Sequence, residues 1–143
     1  MNNEYRALIG TDEHYKQEVS LSCAPYGVFQ FNFLIFSDQY EELTESHFKL
    51  MHHIQDNWKN IWQKLIPVFE DLSNSFSYIQ KSFLQHLKCK DNYFEISISD
   101  IGPEGPEGQW SMHYHIKSER SGFYSMSVYF KNSDEIEAYQ PAY

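Results

Sequence analysis

The sequence predicts an α+β fold: an antiparallel sheet of about five or six strands with two helices packed on one face, in the order β-β-α-α-β-β-β. Three observations predict it. Apolar and polar residues alternate through residues 18–35 and again through 94–130, which gives each strand one apolar face. Between those regions apolar residues recur every three or four positions, the period of one helix face. The strand-like and helix-like regions are segregated along the chain, which favours α+β over alternating α/β. With 143 residues, the chain is read as one domain over 1–143.

The elements follow in order. In Glu18–Cys23, Val19, Leu21 and Cys23 share one strand face and Glu18, Ser20 and Ser22 the other. Ala24-Pro25-Tyr26-Gly27 reads as a turn. Phe29, Phe31, Phe33 and Ile35 then give a second strand, and the short connection predicts a hairpin. Tyr5–Ile9 has the character of an earlier strand. Asp38 followed by Glu41 has capping-box spacing and marks a helix start. From there a stripe runs through Leu43, Phe48, Met51, Ile54, Trp58, Ile61, Trp62, Leu65 and Phe69. Pro67 is expected to kink or end this helix, because it has no amide to donate and crowds the preceding turn. A second helix is expected from about Asp71 to Leu87, with Leu72, Phe76, Ile79, Phe83 and Leu87 on its apolar side. Three alternating segments follow: Phe94–Ser99, Trp110–Lys117 and Tyr124–Phe130. A short last strand is expected near Ile136–Ala138. Strands with one apolar and one polar face predict a sheet covered on one side and open on the other.

Composition pairs two properties. The chain is 17% aromatic, with 11 Phe, 11 Tyr and 3 Trp, yet its formal net charge is -9. The aromatics supply core area. The acids keep the surface wet and select basic partners. A hydrophobic fraction of 41% and a mean hydropathy of -0.60 exclude disordered and membrane classes. The start, Met1-Asn2-Asn3-Glu4-Tyr5-Arg6, lacks the basic and apolar pattern of a secretory signal, so a cytoplasmic protein is expected. Cys23 and Cys89, outside any CxxC pair, are expected to be reduced, buried thiols. Residues 1–50 hold eight acids against Arg6, Lys16 and Lys49, while residues 51–100 hold six acids against five lysines. Residues 101–143 hold six acids against Lys117, Arg120 and Lys131. No Lys/Arg cluster exists, which argues against nucleic acid as a partner.

The sharpest chemical candidate is His113-Tyr114-His115. Strand alternation puts both imidazoles on the open face, where they could ligate one metal or divide acid and base roles with Glu95 nearby. With Gly108 before and Glu119 after, the segment resembles part of the first cupin motif. The glycine spacings depart from it, no second motif follows, and a helical middle does not suit a cupin barrel. His52 and Asp56, four apart on the first helix, read as an exposed polar pair, with His47 in the same region. Asp12-Glu13 and Glu41-Glu42 are adjacent acids with the character of a solvated surface. No GxSxG, GxGxxG or GxxxxGK[ST] motif is present, and no cofactor is expected. Tyr129 and Phe123 fall on the polar side of the last long strand, where Tyr129 could stack with His115 or Lys117 and meet a partner.

Three acidic groups complete the candidates. Asp38, Glu41, Glu42 and Glu45 crowd the first helix start, where they also suit the helix dipole. Glu104 and Glu107 lie on the loop Gly102-Pro103-Glu104-Gly105-Pro106-Glu107-Gly108, and Asp134, Glu135 and Glu137 lie near the C-terminus. In size, charge and element order the chain resembles the small acidic immunity proteins of bacterial toxin systems. Those families have diverse folds, and many neutralise a basic nuclease or other toxin by occluding its active site. The resemblance implies a non-catalytic protein-binding domain, with Asp38, Glu41, Glu42, Glu45, Glu104, Glu107 and Tyr129 as candidate contacts for a basic toxin. The alternative reading is a metal-dependent enzyme or metal-binding protein using His113 and His115. A structural domain with neither property is the third. An edge strand near the C-terminus leaves pairing with a second copy open.

Overall fold

In the computed structural model, which describes residues 14–36, 45–75, 82–99, 109–117 and 123–142, the alternating segments form one six-stranded sheet in sequential order. The strands are β1 (His14–Ser22), β2 (Val28–Phe36), β3 (Tyr93–Ser99), β4 (Trp110–Lys117), β5 (Phe123–Lys131) and β6 (Glu135–Ala142). Among the described residues three helices lie between β2 and β3: α1 (Glu45–Asp56), α2 (Trp58–Ser75) and α3 (Phe83–Leu87). The class is therefore α+β, in the order β-β-α-α-α-β-β-β-β. The last strand is eight residues long rather than a short stub. The Tyr5–Ile9 segment lies outside the described residues.

The sheet is mixed rather than wholly antiparallel. Four neighbouring pairs are antiparallel, but β2 and β3 run parallel, with Phe31 beside Phe94 and Phe36 beside Ser99. The cause is where the helical segment ends. It carries the chain from the finish of β2 back to the level at which β2 begins, and a strand that starts there must run parallel to its predecessor.

The hairpin turn needs a glycine. Gly27 has φ of +128°, a conformation that a Cβ disfavours, and its carbonyl accepts the Cys23 amide at 2.6 Å. Tyr26 packs edge-on against Trp62 and Phe83. Trp58 and Trp62 donate their indole N–H groups to the carbonyls of Ser22 and Ala24, at 2.9 and 3.1 Å. These bonds satisfy the one polar atom of each buried indole and fasten α2 over the hairpin.

The covered face of the sheet holds the core. Phe31, Phe94 and Tyr114 stand side by side on β2, β3 and β4, with ring centroids 4.4 Å apart at both contacts. Trp62, Phe69 and Phe83 close over them. The helical stripe from Phe48 to Phe69 is buried throughout, as its periodicity predicts.

Pro67 neither ends nor divides the helix, contrary to expectation. It sits exposed inside α2, and the break falls at Asn57 instead. The Asn57 side chain donates to the His53 carbonyl at 3.0 Å and meets His53 Nδ1 at 3.2 Å, while the Asn57 amide donates to the same carbonyl at 3.0 Å. Burial of Ile61, Trp62, Leu65 and Phe69 on the same helix outweighs the bond that Pro67 cannot make. Replacing Pro67 by alanine restores an amide donor at an exposed site. Stability is expected to rise by about 1 to 2 kcal/mol, read from the urea midpoint, after allowing for the looser unfolded chain.

α3 is short but capped on both sides of its first turn. Ser82 Oγ accepts the Gln85 amide at 3.3 Å, and Gln85 Oε1 accepts the Ser82 amide at 2.8 Å. Beyond it, Asn92 donates to the His86 carbonyl at 2.9 Å and accepts the Lys117 amide at 3.0 Å, which locks the entry to β3 against β4.

The strand pairings also sort the connections by end. The start of β1, the finishes of β2 and β3, the start of β4 and the β5–β6 turn gather at one end of the sheet. The β1–β2 turn, the entry to β3 and the finish of β4 lie at the other.

Candidate functional site

The open face carries the polar groups that alternation left uncovered. Strand register aligns Glu18, Asn32, Glu95, His113, Ser127 and Gln140 in one row across all six strands. Beside it, Tyr93, His115 and Ser125 are neighbours on β3, β4 and β5, as are Ser97, Ser111 and Tyr129.

His113 and His115 share this face, as expected, and their rings stack 5.9 Å apart at 20°. His113 Nδ1 meets Ser127 Oγ at 2.8 Å, and its Nε2 meets Ser111 Oγ at 3.0 Å. His115 Nδ1 meets Ser125 Oγ at 2.7 Å, and its Nε2 lies 3.6 Å from Glu95 Oε1. Tyr93 packs on His115 with centroids 4.7 Å apart.

This arrangement suits a metal poorly. Serine hydroxyls engage three of the four ring nitrogens, and the fourth, His115 Nε2, faces Glu95. Among the described residues no group of three His, Cys, Asp or Glu side chains could hold a metal ion. Ser125, His115 and Glu95 do have the connectivity of nucleophile, base and orienting acid. Acyl transfer also needs donors aimed at a developing oxyanion. Here the amides of the interior strands are engaged in the ladder, and the helices lie on the opposite face.

The electrostatics favour a fixed polar lattice. Hydrogen bonding to His115 holds the Glu95 carboxyl below the usual range, against the opposing pull of burial. Burial and the neighbouring His115 lower the pKa of His113, with Glu95 acting in the other direction. Burial, then the Glu95 charge, raises the pKa of the Tyr93 phenol. A histidine kept neutral in the fold binds fewer protons than its unfolded counterpart. Stability is therefore expected to fall as pH drops below the ordinary histidine value of 6.5, and His113→Gln should flatten that fall in a melting series from pH 7.5 to about 5.5.

Other sequence candidates separate. Tyr129 lies half-buried on the open face, but its ring meets His113 edge-on at 6.2 Å and its register partner is Ser111. It does not stack on His115 or Lys117, which lie further along β4. Lys117 instead reaches Asp91 at 3.7 Å. The Phe123 side chain lies outside the described residues. His52 and Asp56 are exposed, whereas His47 is fully buried on α1 and so takes no part in a surface pair. Glu45 is exposed at the start of α1. Asp12, Glu13, Asp38, Glu41, Glu42, Glu104 and Glu107 lie outside the described residues. Neither cysteine is in a disulfide; Cys23 is buried as expected, but Cys89 is half-buried, with its thiol donating to the Gln85 carbonyl at 3.6 Å. Burial pushes the Cys23 thiol up to about 12, which leaves it a poor nucleophile.

The serines that engage the histidines, and Glu18 with Asn32 beside Glu95, were not singled out from the sequence. Alternation assigns each to the polar face, but only the register makes them neighbours. No family model, curated protein or solved structure matches the chain. Among the described residues no helix is long and apolar enough to cross a membrane.

Proposed function

We propose that this chain is an acidic, non-catalytic protein-binding domain that engages a basic partner at the end of the sheet where β1 begins and β2 and β3 finish, as an immunity protein engages a toxin. The observation that supports it is the pairing of three strand ends, each of which is continued in the sequence by an acid-rich stretch. His14, Phe36 and Ser99 are register neighbours on β1, β2 and β3. The sequence segments that adjoin these three residues, 1–13, 37–44 and 100–108, contain nine acids and one arginine. Asp38, Glu41, Glu42, Glu104 and Glu107 are among those acids. At the opposite end, 88–92 and 117–122 contain Lys88, Lys90, Lys117 and Arg120 against Asp91 and Glu119.

A field polarised along the strands steers an oppositely charged partner to one end and turns away wrong orientations. Tyr129 and the open face lie alongside and extend the contact. The test is to recover the bound partner from the cells that make this protein and compare its association with the native chain and with a variant carrying Asp38→Asn, Glu41→Gln, Glu42→Gln, Glu104→Gln and Glu107→Gln. A basic partner whose association is slowed by the variant supports the reading. An acidic partner, or an unaltered rate, counts against it.

A further inference from the structure

A cavity of about 220 Å³ opens beside the candidate site, where Val28 and Phe29 of β2 extend past the first residue of β3. Without a β3 backbone at that level, the cavity reaches from the open face to the apolar layer beneath. Glu18, Gln30, Asn32 and Tyr93 line its open-face side, and Phe29, Leu87, Phe94 and Tyr114 its core side. The wall is braced, because Asn92 is bonded to the His86 carbonyl and to the Lys117 amide.

We infer that this cavity is a receptor for a guanidinium group on an aliphatic stem, an arginine side chain presented by the protein partner. Size is the first argument. The cavity holds the volume of about seven waters and falls below the roughly 300–1,000 Å³ of sites for drug-sized ligands, so it suits one side chain. Charge is the second. Glu18 is the ionised group in the lining, and Glu95 stands in the same row with only Asn32 between them. Lys16, two residues from Glu18 on the same face, leaves this group of three net negative. An anionic ligand is repelled here, whereas a guanidinium fork finds a carboxylate and amide oxygens at the mouth. The third argument is the aromatic side. Phe29 and Tyr93 offer ring surface to the methylene stem and to the cation itself. Buried arginines of this kind are common anchors of protein interfaces.

The source of the arginine rests on the protein-binding reading above; the chemistry of the cavity does not. The test is an NMR titration of the full chain with N-acetyl-L-arginine amide at millimolar concentration, with N-acetyl-L-citrulline amide and free arginine as comparisons. Shifts centred on Glu18, Gln30, Asn32 and Tyr93 are expected with the arginine amide. Citrulline amide, which lacks the charge, should bind about tenfold more weakly, and so should the arginine amide to Glu18→Gln. Glu137→Gln, on β6 at the far edge of the sheet, should bind like the native chain. Free arginine should bind more weakly than the capped form, because its carboxylate meets Glu18 and Glu95. No shifts, equal binding of citrulline amide, or indifference to Glu18→Gln would overturn the proposal. Equal or tighter binding of free arginine would overturn the assignment to a protein side chain. The five-residue acid variant should leave probe binding intact, so failure of the cavity and failure of the acidic-end reading are separately visible.

Discussion

Replacing Phe94 with alanine is expected to destabilise the protein by about 3 to 5 kcal/mol. Phe94 is 2% exposed and sits at the centre of the aromatic layer, against Phe31 and Tyr114 in the sheet and Trp62 and Phe69 from α2. Truncation removes the ring and leaves a space that neighbours on two strands and a helix cannot close together. A domain of this kind has a total stability of about 5 to 15 kcal/mol, so the loss takes a large share of it. Phe94→Leu keeps much of the volume and should cost less than half as much. Urea unfolding followed by tryptophan fluorescence reads both, since Trp58 and Trp62 lie in the same layer. A cost below about 1 kcal/mol for Phe94→Ala would mean that this layer is not the packed centre described here.

The second large effect is on association. Neutralising Asp38, Glu41, Glu42, Glu104 and Glu107 removes five of the nine acids in the segments adjoining one end of the sheet. Electrostatic steering raises association rates by about 10- to 1,000-fold, so the variant should associate with its basic partner about 10- to 100-fold more slowly. Folding stability is expected to change less than association, because Asn and Gln keep most of the size and hydrogen-bonding capacity of Asp and Glu. Dissociation should change less than association, since steering acts before contact. A variant that lost stability and binding together would point to a structural role for these acids.

Much of the fold was legible from local pattern, and the exceptions share a cause. β1 to β5 were visible because the half-buried surface repeats every two residues, as in Trp110, Met112, Tyr114 and Ile116, whereas the mostly exposed β6 shows no such repeat and was expected only as a short strand. The parallel pairing of β2 and β3 was not visible, because it depends on where the helical segment finishes rather than on any residue in either strand. Pro67 misled for a related reason. Its local cost is real, but the buried stripe on both sides of it decides the helix. His47 has the same chemistry as the exposed His52, yet the helix turns one inward and the other outward.

The site followed the same division. His113 and His115 were placed on the open face by alternation alone. Their serine partners, and the cavity between β1, β2 and β3, emerge only when the register brings residues from separate strands together. The acidic character was plain from composition, but only the pairing of His14, Phe36 and Ser99 shows that three acid-rich stretches of sequence adjoin strand ends at one end of the sheet.

The central claim is that acidity collected at one end of the sheet recruits a basic protein. The most direct test is the association rate of the native chain with its recovered partner as a function of salt. Raising the ionic strength from about 0.01 to 0.15 M shortens the screening length from about 30 to 8 Å. Over that range the rate is expected to fall by about tenfold or more, with a much shallower fall for the five-residue variant. A rate that ignores salt, or an equal dependence in native and variant chains, would contradict the account.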